Sequence, residues 1–370
     1  VYESGYYQSY TTVSYYNKKA KINDCSPFIM SAKLSSMLYD FNNLYVCTYH
    51  NELTWQIIIK GNKVTKFPSE HIYLFQNREI YTCTLHLHLN LCRAHGVRSI
   101  QTRPGFIVYT NWNALMTTDG TTTHLIAGNS AQKGYREGVG AEARFNYISG
   151  FTQISEKLVV VADSYNHCMR LIDRTTNNTS VFSGQCKSRG YEDGSPGQFN
   201  LPSYIVIDKQ DKNQLFIADF ANSAVRTVDV DSRVVGTFVW SDTLKYIIGI
   251  TQEEESGDLY VTAYHALYRI TYIQRTVSLI SGSPGSNYGY RDSTLLDSLF
   301  ETPYELILIK PNTLLIADAY NNKLRLVHMN SDKVTTLSVT NSLKYPYSLL
   351  LTNNSLYVGQ QKKITQYKCE

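Results

Sequence analysis

The sequence predicts an all-β protein dominated by a repeat architecture, a β-propeller or solenoid, and three observations predict it. The first is a near-copied stretch. Val160-Val161-Ala162-Asp163-Ser164-Tyr165-Asn166-His167-Cys168-Met169-Arg170 recurs as Phe216-Ile217-Ala218-Asp219-Phe220-Ala221-Asn222-Ser223-Ala224-Val225-Arg226, and again as Leu315-Ile316-Ala317-Asp318-Ala319-Tyr320-Asn321-Asn322-Lys323-Leu324-Arg325. Each copy reads as an apolar strand, a turn carrying Asp163, Asp219 or Asp318, and a second strand opening on an aliphatic residue and Arg170, Arg226 or Arg325. The second is a Gly-Tyr segment ahead of each copy: Gly134-Tyr135 to Phe145, Gly190-Tyr191 to Phe199, and Gly289-Tyr290 to Phe300, with Pro202 and Pro303 following in two of them. The third is spacing. Gly134 to Gly190 is 56 positions and Gly190 to Gly289 is 99, or two units, the skipped one visible as Leu259-Tyr260-Val261-Thr262-Ala263 without its Asp.

The Ala-Asp-x-x-Asn-x-x-aliphatic-Arg and Gly-Tyr...Phe-x-x-Pro elements resemble the NHL-repeat family, over about residues 100 to 370. That resemblance implies a closed, six-bladed β-propeller. Candidate second strands agree in number: Phe106–Thr110, Leu158–Ala162, Leu215–Ala218, Leu259–Thr262, Leu314–Ala317 and Leu356–Gly359. The third strand of a unit is expected to end on a small residue and Gly, as in Ala127-Gly128, Ser183-Gly184 and Ser281-Gly282. Because Asp163, Asp219 and Asp318 recur at equivalent places, a structural job is expected of them. Each would accept from backbone N–H groups of the following turn, and the Arg seven residues on would pair with it or with a neighbouring blade. Catalysis normally needs one asymmetric constellation instead.

Before Val97 the pattern changes. Strand candidates at Asn43–Tyr49, Leu53–Ile59 and Glu79–Thr84 carry a Cys, a Trp and a Tyr-x-Cys, which resembles an immunoglobulin-like sandwich. The resemblance implies a Cys47–Cys83 disulfide packed on Trp55, with Tyr81 as the corner. Two extra propeller blades are the competing reading, but about 27 positions from Tyr81 to Phe106 are too few for four strands of about five residues plus turns. The expected organisation is therefore an extended Tyr-rich arm over 1–21, a small sandwich over 22–97 and the propeller over 98–370.

Composition narrows the setting. At 370 residues there is room for two domains, and a net charge of +4 with 18% charged residues does not argue for nucleic acid. No apolar run approaches the roughly 18 residues that span a bilayer. A chain opening on Val1 rather than Met is what removal of a signal peptide leaves. Seven cysteines fit an oxidising compartment. Cys168 and Cys186 flank a turn near Asn177-Asn178 at equal offsets, within reach of a bridge; Cys25, Cys92 and Cys369 have no partner fixed by the sequence. Asn177, Asn178 and Asn353 open glycosylation sequons at expected hairpin tips.

Chemistry is sparse. His86 and His88 alternate onto one strand face, about 7 Å apart, but no further ligand accompanies them, and they read as polar surface positions. His124, His167 and His265 share no evident spacing. No cofactor is indicated. Tyrosine is frequent, 30 residues, and Tyr2, Tyr6, Tyr7, Tyr10, Tyr15 and Tyr16 crowd the N-terminus. With Val13, the alternation over 6–16 suits an extended segment that pairs with a neighbouring copy. The expectation is a secreted, non-enzymatic glycoprotein for recognition or assembly, with protein partners that include a head-to-tail homopolymer. The competing expectation is a propeller enzyme of lyase or hydrolase type with a metal in its central channel.

Overall fold

The computed structural model of the protein describes the backbone of seven strands before residue 91 and of residues 97–103, 106–310, 312–339, 342–352 and 355–369. Side chains are described for 97–101, 106–309, 312–339, 342–352 and 355–368. The chain divides into two compact units, Val1–His71 and Ile72–Glu370. In the first, β1 (Tyr10–Tyr15) pairs antiparallel with β2 (Lys18–Asn23), and β3 (Leu44–Thr48), β4 (Gln56–Lys60) and β5 (Lys63–Phe67) form a three-stranded meander.

The second unit is a ring of six sheets. The sixth sheet takes β6 (His71–Gln76) and β7 (Glu79–Asn90) from the N-terminal side of the ring, and is described below. Blade one is β8 (Ile100–Arg103), β9 (Phe106–Asn111), β10 (Ala114–Thr118) and β11 (Thr123–Gly128). Blade two is β13 (Ile148–Gln153), β14 (Leu158–Asp163), β15 (Cys168–Asp173) and β16 (Asn178–Ser183), with the two-residue β12 (Gly138–Val139) on its outer edge. Blade three is β17 (Pro202–Ile207), β18 (Gln214–Asp219), β19 (Ala224–Asp229) and β20 (Val235–Trp240). Blade four is β21 (Ile247–Gln252), β22 (Leu259–Ala263), β23 (Ala266–Ile270) and β24 (Val277–Gly282). Blade five is β25 (Pro303–Lys310), β26 (Thr313–Asp318), β27 (Lys323–His328) and β28 (Lys333–Leu337). Each is an antiparallel meander, and all six expected second strands fall where the sequence places them.

The sixth blade closes the ring. It contains β29 (Ser348–Thr352), β30 (Ser355–Gly359) and β31 (Lys363–Cys369), and then β7, followed by β6 on the outside. The expected boundary at 97 therefore does not coincide with the sheet: residues 79–90 belong to the propeller. Counting blades along the chain missed this, because the last blade is assembled from both ends of the ring. Cys83 and Tyr81 lie on β7, and the register sets Cys83 opposite Cys369. Cys47 lies on β3 in the other unit. Trp55 lies outside the described residues, as do the side chains that the Cys47–Cys83 expectation concerns.

The core sits between blades. One cluster fills each blade-to-blade interface; Phe145, Phe151, Val159 and Val161 join blades one and two, for example, and Leu315, Leu349, Leu356 and Val358 join five and six. Second strands run apolar on both faces because both faces meet a neighbour, so Leu314 to Asp318 is buried without alternation. The small-residue-Gly pairs close the fourth strands β11, β16 and β24, not the third as expected, with Gly184 just past the end of β16. Gly128 has φ +98°, and a Cβ there would stand 2.3 Å from Asn113 O and 2.8 Å from the Phe145 ring. Only glycine lets this phenylalanine pack so close.

Candidate functional site: the central channel and its rim

The repeat residues build a staple that holds each incoming connection to the next blade. Asp219 Oδ1 accepts from Asn200 N at 2.7 Å, while Oδ2 accepts from Asn222 Nδ2 at 2.7 Å and Arg226 Nη1 at 3.0 Å. Asn222 Nδ2 also donates to Gly190 O, and Arg226 Nη2 to Asp193 Oδ1 at 2.6 Å. The guanidinium is sandwiched between Tyr191 and Phe199, 4.7 and 5.5 Å from the ring centroids. Asp163–Arg170 and Asp318–Arg325 repeat the pattern at 3.2 and 2.7 Å, all six side chains fully buried. The backbone N–H that each Asp accepts from therefore belongs to the connection that precedes the strand pair (Asn146, Asn200, Glu301), not to the following turn as expected, which contributes its Asn side chain instead. Burial pushes all three carboxyls up to about 6, against the donors that surround them. These residues hold the scaffold and leave the chemistry to another place.

That place is the channel, lined by the six inner strands. On the face where those strands begin, here the front, a cavity of about 150 Å³ is walled by Arg98, Tyr147, Ser203, Tyr204, Tyr304 and Glu305 among others. Toward the back lies a wider space of about 670 Å³, lined by Gln101, Thr152, Tyr204, Thr251, Glu305 and Leu350 among others, with Lys209 and Glu253 at its edge. Tyr204 and Glu305 border both spaces and divide them. The Tyr204 hydroxyl donates to Glu305 Oε1 across the channel, and Leu349 N donates to Oε2 at 2.8 Å. Burial pushes the Glu305 carboxyl up to about 8 and the Tyr204 hydroxyl well above its ordinary range. Sequence reading missed all three of Arg98, Tyr204 and Glu305. The signal was present for two of them: each stands two residues after the proline that opens an inner strand, Pro202 or Pro303.

The front rim of the channel is aromatic. Trp112, Tyr147 and Tyr165 form one arc with centroids 6.0 and 5.4 Å apart. Phe220, Tyr246, Tyr264, His265 and Tyr288 form a second, at 5.3, 5.6, 4.0 and 4.5 Å. Tyr320, Tyr345, Tyr347 and Tyr304 form a third. Trp112, Tyr165, Tyr246, Tyr288 and Tyr320 are 39% to 56% exposed. Trp112, Tyr147, Tyr246, Tyr264 and Tyr345 all carry φ between 47° and 72°. A bulky side chain there is strained where glycine would not be, and such strain gathers at working surfaces. His167 and His265, 98 positions apart in the sequence, turn out to be equivalent. Their Nδ1 atoms accept from Leu201 N at 3.2 Å and Thr302 N at 3.0 Å, and burial lowers both pKa values, so they act as neutral acceptors.

Other expected site residues are more scattered. Cys168 and Cys186 are joined, Cα atoms 4.9 Å apart. Asn177, with φ 56°, and the exposed Asn178 sit at the β15–β16 turn. Asn353, Tyr6, Tyr7 and Tyr16 lie outside the described residues, and Tyr10, Val13 and Tyr15 lie on β1, whose backbone pairs with β2. His86 and His88 lie on β7. Among the described residues no three His, Cys, Asp or Glu side chains converge where a metal ion could be held, and no helix is long and apolar enough to cross a membrane.

No family model matches the chain. It is 30% identical over 128 residues to NHL repeat-containing protein 2 of Bos taurus, a stretch that is 32% of this chain and 18% of that protein. Its Homo sapiens counterpart is 29% identical over 125 residues, 17% of its length. The chain thus spans under a fifth of these relatives. Among solved structures, an auxiliary nutrient binding protein from Bacteroides ovatus covers 98% of this chain and 89% of its own at a TM-score of 0.59 and 10% identity. A streptogramin B lyase covers 77% of this chain and 96% of its own at 0.50 and 11%. These similarities bear on the fold alone.

Proposed function

We propose that this NHL-type six-bladed β-propeller is a non-catalytic recognition protein of the extracellular space that engages a protein partner through its aromatic front rim. The observation that carries the reading is the exposure of large aromatics around the channel mouth: Trp112, Tyr165, Tyr246, Tyr288 and Tyr320 stand 39% to 56% exposed, and Trp112 and Tyr246 do so at left-handed backbone positions. Interface cores favour Tyr and Trp, which bring large, stiff, amphipathic area to a contact. The Cys168–Cys186 bridge and the exposed Asn178 at a hairpin turn support an oxidising, glycosylating compartment. Self-association into a homopolymer through the N-terminal arm is a finer form of the same proposal; among the described residues β1 pairs with β2 alone.

The test is cross-linking of native protein in its own fluid, compared with a Tyr165→Ser, Tyr246→Ser, Tyr320→Ser variant. The recognition reading expects rim peptides in the cross-links and their loss in the variant. Cross-links confined to the back face would sink it. Mass spectrometry of native protein is expected to find a glycan on Asn178 or Asn177 and on Asn353; unmodified asparagines at all three remove the support for secretion.

A second reading, an enzyme acting through the channel, draws on one observation. Glu305 is a carboxyl that holds its proton near neutral pH and borders both spaces of the channel, which suits a general acid. Turnover that Glu305→Gln abolishes while the rim variant leaves it intact would favour this reading over recognition.

A further inference from the structure

Among the described residues Arg98 is a cation without a counter-ion. It projects into the front cavity with its guanidinium 3.5 Å from the Tyr347 ring centroid, 4.6 Å from Tyr304 and 5.6 Å from Tyr147. Its electrostatic company is these three tyrosines. Nε and Nη1 are shut off from solvent with no acceptor. Among the described residues no carboxylate forms an ion pair with it. The three repeat arginines, fully buried where Arg98 is only partly so, each have an Asp. Glu305 shares the cavity but is committed elsewhere, accepting from Tyr204 and Leu349 N. Tyrosine faces offset part of the desolvation of a guanidinium, but an enclosed cation remains incomplete until an anion meets it.

The cavity beside it sets the shape of that anion. At about 150 Å³ it is the size of a space that holds one benzene ring. Leu201, Phe220 and Ile248 give it an apolar wall, and Ser149, Ser164 and Ser203 add hydroxyls beside the tyrosines and Glu305. Inorganic anions would leave that wall unused, and a neutral hydrocarbon would leave Arg98 unmet. We infer that the front cavity binds a small organic monocarboxylate, its carboxylate on Arg98 and its ring or branched chain against Leu201, Phe220 and Ile248. The cavity lies inside the ring of aromatics and shares Tyr147, Tyr165, Phe220, Tyr304 and Tyr347 with it.

The experiment uses the full chain and benzoate as the carboxylate, with benzyl alcohol as its uncharged counterpart and inorganic phosphate as a bare anion. Calorimetry and thermal shift are expected to give saturable binding of benzoate at millimolar concentration and none of the other two. Arg98→Met, which keeps the stem packed on the tyrosines, is expected to weaken benzoate by about tenfold or more, and Arg98→Lys by less. Should Arg98→Met fail to fold by circular dichroism, Ile248→Trp serves instead, because it fills the cavity and leaves Arg98 in place; it is expected to abolish binding. Equal binding of benzoate and benzyl alcohol, binding of phosphate as tight as benzoate, benzoate affinity unchanged in Arg98→Met or Ile248→Trp, or no benzoate binding at all would each overturn the assignment.

Discussion

At the scale of the residue, two kinds of buried charge behave differently. Asp219 and Arg226 are fully enclosed and paired with each other, with only Arg226 Nε lacking an acceptor among the described residues, so removing one strands the other. Arg226→Met is expected to lower unfolding stability by about 3–5 kcal/mol, and Asp219→Asn combined with it by less, which equilibrium denaturation checks. Glu305 titrates in an unusual window, between its ordinary value of 4.5 and about 8. As pH rises through that window the unfolded chain has released a proton that the folded chain still holds, so stability is lost with rising pH. Asp163, Asp219 and Asp318, raised to about 6, act in the same direction over the lower part of it. Glu305→Gln keeps a hydrogen-bonding partner for both Tyr204 and Leu349 and removes the upper part. Its melting temperature is expected to fall less than that of the parent between about pH 6 and 8; parallel curves would show that Glu305 ionises normally.

At the scale of the element, covalent and hydrogen-bonded links fix strand ends. Cys168 opens β15 and Cys186 follows β16, so the bridge closes the edge of blade two across 18 positions. Replacing both with serine is expected to cost about 2–5 kcal/mol by denaturant titration. The sixth blade poses a parallel question. Directly opposed residues of an antiparallel pair stand about 4.5–5.5 Å apart, inside the Cα range for a disulfide. Since Cys83 stands opposite Cys369 in register, non-reducing peptide mapping is expected to recover these two joined. Recovery of Cys47 with Cys83 instead would restore the sandwich pairing that the Tyr-x-Cys pattern implies.

At the scale of the whole molecule, closure is the central fact. Five blades are local meanders, and the sixth needs β7 to cover the edge of β31. An uncovered β31 would present an unpaired strand edge. A chain shortened to Ile72–Glu370 is expected to unfold cooperatively at the temperature of the full chain. A chain starting at Val97 is expected to melt lower and to aggregate, by scanning calorimetry and light scattering. Equal behaviour of the two fragments would mean that β7 does not close the ring.

The repeat, the six second strands and the residues of the staple were legible in the amino-acid order, because they rest on contacts within one unit: Asp to Asn three positions on, Asp to Arg seven on, Asn to the Gly 32 positions before it. Such contacts leave a pattern that recurs and can be read along the chain. The closing strand, the divided channel and the aromatic rim emerged only once the chain was folded. Tyr204 and Glu305 meet across 101 positions and Ser348 reaches Val97 across 251. Each of these contacts occurs once, between different blades. The ring, not the repeat, brings those side chains together, because six wedges packed face to face must direct their inner strands at a common axis.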